Sequence, residues 1–190
     1  MNKKFLFSVL IIGMSLNAFS QSNLAEVNKI NGFYIFIDSK PIEDYEAFGE
    51  IQSDETDKAI ISSGAQYTSV RDNLIKRARL ANYTADGLIL SLINGGEDKA
   101  IMIKFKNKDA KNNIAKVEQF QGLYIFADCN PIKENTYIDT VTFSGGFSSP
   151  QYSNVRDVLI KRARKKSKDA NGVILKFVSG GNDLGDVIKF

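Results

Sequence analysis

Arg71 falls inside the apolar stripe that Val70, Leu74, Ile75, Ala78 and Ala81 trace on a helical wheel, about 100° from Val70. Arg156 holds the same place in a second copy of that helix. A guanidinium in such a place needs a carboxylate or carbonyl partner, because an unpaired buried charge is costly. Asp38 and Asp128, each at the end of an apolar strand, are the candidate partners. Two uses follow. The arginines and aspartates form pairs that tie helix to sheet, or Arg71 and Arg156 line a cleft and grip an anionic ligand through their bidentate forks. A third use makes Asp38 and Asp128 the acid and base of a hydrolase acting on an anionic or sugar substrate, which needs carboxyl groups about 5–10 Å apart in an open cleft.

A different chemistry is offered by Lys161, Arg162, Arg164, Lys165, Lys166 and Lys168, all within one run of the second half. Where the second half has Lys165-Lys166-Ser167-Lys168, the first has Leu80-Ala81-Asn82-Tyr83. Such a run either binds a polyanion or forms a solvated helix face. A pI of 8.8 and the lack of aromatic residues among these cations argue against nucleic acid.

The sequence has no His and one cysteine, Cys129. That excludes Ser-His-Asp triads, Cys-His dyads, His/Cys zinc sites and an intramolecular disulfide. The turns Asn94-Gly95-Gly96-Glu97-Asp98 and Ser179-Gly180-Gly181-Asn182-Asp183 lack phosphate-loop spacing and a calcium-loop pattern, so they read as hairpin turns. Asp72 and Asp157 read as partners of helix N-caps at Ser69 and Asn154. Tyr34 and Tyr124 fall inside apolar strands and read as core. No cofactor or metal is implied, and catalysis is not expected.

These residues are positioned by an internal repeat. Gly32-Phe33-Tyr34-Ile35-Phe36-Ile37-Asp38 returns ninety residues later as Gly122-Leu123-Tyr124-Ile125-Phe126-Ala127-Asp128, and Gln66–Phe105 aligns without a gap to Gln151–Phe190, with 21 identities in 40 pairs. Each copy reads as strand, strand, helix, strand, strand. The first strand is apolar throughout, and the last two form a hairpin. The expected fold class is α+β: two small antiparallel sheets, each carrying one helix, packed as a pseudo-two-fold pair. A unit of this size buries too little surface to stand alone without a staple, so the copies should pack together. The expected units are 21–105 and 118–190, joined by a Lys- and Asn-rich linker over 106–117. Residues 21–105 hold 9 basic and 13 acidic residues, and 106–190 hold 14 and 9, so the halves carry −4 and +5.

Met1–Ser20 has the three parts of a secretory signal: Asn2, Lys3 and Lys4, an apolar stretch from Phe5 to Leu16, and Ala18-Phe19-Ser20 before the cut. Twelve apolar positions are too few to span a bilayer. Removing the leader and its two lysines leaves 23 − 22 = +1 on the 170 residues that remain of 190. The expectation is an exported binding or interaction protein, periplasmic or secreted, with an anionic ligand or another envelope protein as partner.

Overall fold

The computed structural model describes residues 21–53, 67–82, 84–92, 97–144, 151–178 and 182–190. The leader (1–20), most of the predicted loop at 53–57 and the centres of both Gly-Gly turns lie outside them. Among the described residues no helix is long and apolar enough to cross a membrane.

After a single 3₁₀ turn at Gln21–Asn23, the first half runs β1 (Leu24–Val27), β2 (Lys29–Ile30), β3 (Phe33–Phe36), β4 (Ser39–Pro41), β5 (Tyr45–Gln52), α1 (Tyr67–Ala81), β6 (Gly87–Ser91) and β7 (Lys99–Phe105). The second half runs β8 (Ile114–Val117), β9 (Gln119–Phe120), β10 (Leu123–Ala127), β11 (Cys129–Pro131), β12 (Thr136–Phe143), α2 (Tyr152–Lys166), β13 (Gly172–Lys176) and β14 (Asp183–Lys189). The fold is α+β, with three mostly antiparallel sheets.

Two sheets have five strands, in the orders β2-β3-β6-β7-β5 and β9-β10-β13-β14-β12. They correct the expectation of wholly antiparallel sheets. β3 lies parallel to β6, and β10 to β13. The chain between the members of each pair includes the helix, the long crossover that parallel neighbours require. Two-residue turns join β2 to β3 and β9 to β10, with positive φ at Asn31 and Gly32 (49° and 94°) and at Gln121 and Gly122 (49° and 78°). This is the hairpin geometry that Asn-Gly favours. Arg79 donates to the Asn31 carbonyl, and Arg164 to that of Gln121 at 2.8 and 3.0 Å, so each helix is anchored near its C-terminus to a hairpin.

The third sheet was not anticipated. Its four short strands run β11-β1-β8-β4, alternating between the halves. β1 pairs with β8 and β11, and β4 with β8, so every ladder joins residues below 106 to residues above it. The last four residues of the expected linker are therefore strand β8. Four residues of Ile-Ala-Lys-Val after a polar stretch give too short a signal to read as a strand.

Two apolar clusters fill the spaces between layers, and both draw on both halves. One gathers Phe33, Ile35, Leu88 and Met102 with the helix residues Leu74, Ile75, Leu159 and Ile160. The other lies against the four-stranded sheet and holds Ala25, Val27, Phe36, Phe105, Ala115, Val117, Phe126 and Cys129. Residues alternate between the two along β3, so Phe33 and Ile35 face the first cluster and Phe36 the second.

The helices begin at Tyr67 and Tyr152, two residues before the expected caps. Gln151 is the N-cap of α2, extended at φ −61° and ψ 154° and without a side-chain capping bond. Asp72 and Asp157 accept from the neighbouring Arg71 and Arg156 instead, which corrects their reading as cap partners. The fold yields a direct test. In a Gln21–Phe105 fragment β1 and β4 lose every partner strand, so circular dichroism should show no cooperative melting. Mixing with a 106–190 fragment should restore the transition, and a fragment that melts cooperatively as a monomer would refute the shared sheet.

Candidate functional site

Asp38 and Asp128 follow β3 and β10 and take left-handed backbone, with φ of 46° and 51°. Asp tolerates this region better than most residues. Their carbonyls accept from Glu118 N–H at 2.7 Å and Asn28 N–H at 3.0 Å. Each bend carries the chain from a five-stranded sheet into β4 or β11.

The side chains cross over. Arg156 Nη1 donates to Asp38 Oδ1 and Oδ2 at 3.0 and 3.2 Å, and Tyr152 OH to Asp38 Oδ2 at 2.6 Å. Arg71 Nη1 donates to Asp128 at 3.1 and 3.0 Å, and Tyr67 OH at 2.5 Å. The structure thus brings Arg71, Arg156, Asp38 and Asp128 together, with each arginine held by the aspartate of the other half. Arg71 Nε and Arg156 Nε also bond Asp72 and Asp157, both at 2.9 Å. Side-chain exposure within the two crossed pairs is only 12–14%. Tyr67 and Tyr152 meet at 5.1 Å between ring centroids, and Phe177 packs on them at 4.3 and 5.6 Å. Arg156 stacks over Phe120 at 3.9 Å.

Burial sets the electrostatics. It raises the Asp38 carboxyl above its ordinary range, and the Tyr152 and Arg156 contacts pull it back without cancelling the rise. Burial works against the Arg156 charge too, but Asp38 and Asp157 outweigh it and its pKa rises. The guanidinium keeps its charge at any pH the fold meets, so we assign the pair as ionic at neutral pH. Burial and the adjacent carboxylates push both tyrosines far above the usual phenol range. Burial also pushes the Cys129 thiol up to about 12.

The tyrosines were not anticipated, although a signal was present. Tyr67 and Arg71, like Tyr152 and Arg156, stand at i and i+4, on one helix face, and recur in both halves.

Three members of the basic run have partners within the fold. Arg164 donates to the Gln121 and Ala170 carbonyls, Arg162 to the Thr142 carbonyl, and Lys166 pairs with Asp139 at 2.9 Å. Lys161, Lys165 and Lys168 are exposed. Arg162, Lys165 and Lys166 border a shallow groove of about 460 Å³ along Thr140–Thr142.

A larger cleft, of about 500 Å³, lies beside the Asp38-Arg156 pair and is lined by residues 37–40, 89–92, 118, 152–153 and 156–157. Sequence reading did not find it, because it joins strand ends of one half to the N-terminal turn of the other half's helix. Among the described residues no cluster of three metal-ligating side chains occurs. No protein family, curated protein or solved structure matches this chain.

Two tests follow. Asp38→Asn removes the more buried of the two carboxylates that answer Arg156 and leaves Asp157, which should cost about 2 kcal/mol and lower the melting temperature by about 4–8 °C. A double-mutant cycle with Arg156→Gln should show a coupling of at least about 1 kcal/mol, and additive losses would discount the pair. Cys129 should resist iodoacetamide at pH 8 in the folded protein and react on unfolding, since the thiolate is the reactive form.

Proposed function

We propose that this chain is an exported, non-catalytic binding protein. Its two copies of one unit, 21–105 and 118–190, pack about a pseudo-two-fold axis and hold a small ligand in the cleft between them. Three features of the sequence support the frame: the leader-like Met1–Ser20, the 21 identities in 40 aligned pairs, and the opposite charges of the halves. The observation that carries the binding reading is the cleft of about 500 Å³ whose wall comes from both sides of the linker. Its volume falls within the range of about 300–1,000 Å³ common to small-molecule sites.

The polar groups argue for binding rather than turnover. Asp38 and Asp128 each accept from an arginine and a tyrosine, so neither is a poised base like those of a hydrolase. Arg71 and Arg156 each answer two carboxylates, which leaves little attraction for an anionic ligand. A second contact, with an anionic partner such as another envelope protein, is supported by the groove bordered by Arg162, Lys165 and Lys166.

A fragment library screened by amide chemical-shift perturbation tests the principal reading. Hits should cluster on residues 37–40, 89–92 and 152–157, and Ser91→Trp, which fills the cleft, should abolish them while leaving circular dichroism unchanged. Perturbations scattered over the surface would overturn it.

A further inference from the structure

The four-stranded sheet covers the second apolar cluster with one face and, among the described residues, leaves the other open. Ala25, Val27, Ala115 and Val117 are buried, so the residues that alternate with them point outward. The ladders set the outward side chains in two rows across β11, β1, β8 and β4. One row is Ile132, Leu24, Lys116 and Lys40, and the other is Asn130, Glu26, Ile114 and Ile42. A solvated sheet face is normally polar. Half of this one is aliphatic, and Ile42 and Ile132 are 49% and 43% exposed.

The two rows make four corners of differing kind. Ile132 with Leu24, and Ile42 with Ile114, are aliphatic pairs at diagonally opposite corners, each joined by a backbone hydrogen bond of 3.1 Å. Their positions match one another ninety residues apart and stay aliphatic in both halves. Lys40 and Lys116 fill a third corner, and Asn130 and Glu26 the fourth. There the halves differ, with Lys40 matching Asn130 and Glu26 matching Lys116, and the differences make one corner basic and its opposite acidic. Two lysines set directly across a ladder repel each other. Lys40 has Glu118 at 4.0 Å, and both are exposed. Glu26 accepts from the Asn113 amide at 2.7 Å, a neutral donor that does not cancel its charge.

Edge pairing does not suit this sheet, because β4 and β11 are three residues long and each ends in proline. Face-to-face packing does. Packed sheets hold their strands nearly aligned or nearly perpendicular, and a two-fold axis in the contact plane can run along the strands, across them or on either diagonal. Along or across the strands, aliphatic corners fall on polar ones. On one diagonal, lysines meet lysines. On the other, Lys40 and Lys116 lie over Glu26 and Asn130 of the second copy, and each aliphatic corner lies over its own counterpart. We propose that this face docks on the same face of a second copy of this chain, with the strands crossed nearly at right angles and Glu26 of each molecule against the lysines of the other. The contact lies outside the cleft reading and does not depend on it.

The test is sedimentation equilibrium of the chain from Gln21 to Phe190. Between about 10 µM and about 1 mM the mass should rise from that of one chain toward that of two, as a small interface allows. Ile42→Lys/Ile132→Lys should hold the mass at one chain with an unchanged melting temperature, because both side chains lie on the surface. Glu26→Lys and Lys116→Glu should each weaken self-association about tenfold or more, since each sets like charges face to face. An equimolar mixture of these two variants should regain it, because each offers the corner that the other lacks. An effect confined to one molecule would not be repaired by mixing. A mass of one chain throughout, a dimer indifferent to the isoleucine changes, or a mixture no tighter than its components would overturn the proposal. So would a monomer that floats with phosphatidylglycerol vesicles and loses them in the isoleucine variant, which would assign the face to a lipid surface.

Discussion

An arginine nearly closed to water cannot be left without a counter-charge, and in this protein each such arginine takes its more buried counter-charge from the other half of the chain and a second from the residue beside it. Arg71 reaches Asp128, and Arg156 reaches Asp38. Each aspartate also takes a tyrosine hydroxyl from the helix that supplies its arginine. Separating the halves would leave both aspartates and both phenols without these partners, while each arginine would keep only the carboxylate beside it. The same aspartates adopt the left-handed backbone that turns the chain into the four-stranded sheet. One residue thus directs the chain across the boundary and fixes what it meets there.

Much of the framework was legible because periodicity and turn chemistry are local. The stripe of Val70, Leu74, Ile75 and Ala78 is buried, and Leu88 and Leu90 lie in a strand paired with β7. The placing of Arg71 at the edge of that stripe correctly demanded a carboxylate. Which carboxylate was not legible. Spacing assigns a residue to a face and says nothing about which of two similar strand ends will approach it. Asp72 and Asp157 had the spacing of cap partners, but the neighbouring guanidinium was the stronger donor available. Parallel pairing of β3 with β6 was hidden for a related reason, since an apolar run carries no direction.

The division of labour between chemistry and architecture follows from the same geometry. The two groups that sequence alone nominates for catalysis, Asp38 and Asp128, are each held by an arginine and a tyrosine, and Arg164 of the basic run is held by the Gln121 and Ala170 carbonyls. The cleft wall beside them is made of plain groups, serines and half-exposed acids.

The eight residues at 106–113, between β7 and β8, allow a single chain to satisfy itself. The central sheet interleaves strands from the two halves, and nothing in its ladders distinguishes β8 of the same molecule from β8 of a neighbour. Only the tether makes the internal partner the more abundant one. A chain whose tether were too short to return would find the same contacts intact in a second molecule, closing a reciprocal exchanged dimer with identical interfaces. Tether length, which touches no core residue, thereby governs whether this architecture exists as one molecule or two.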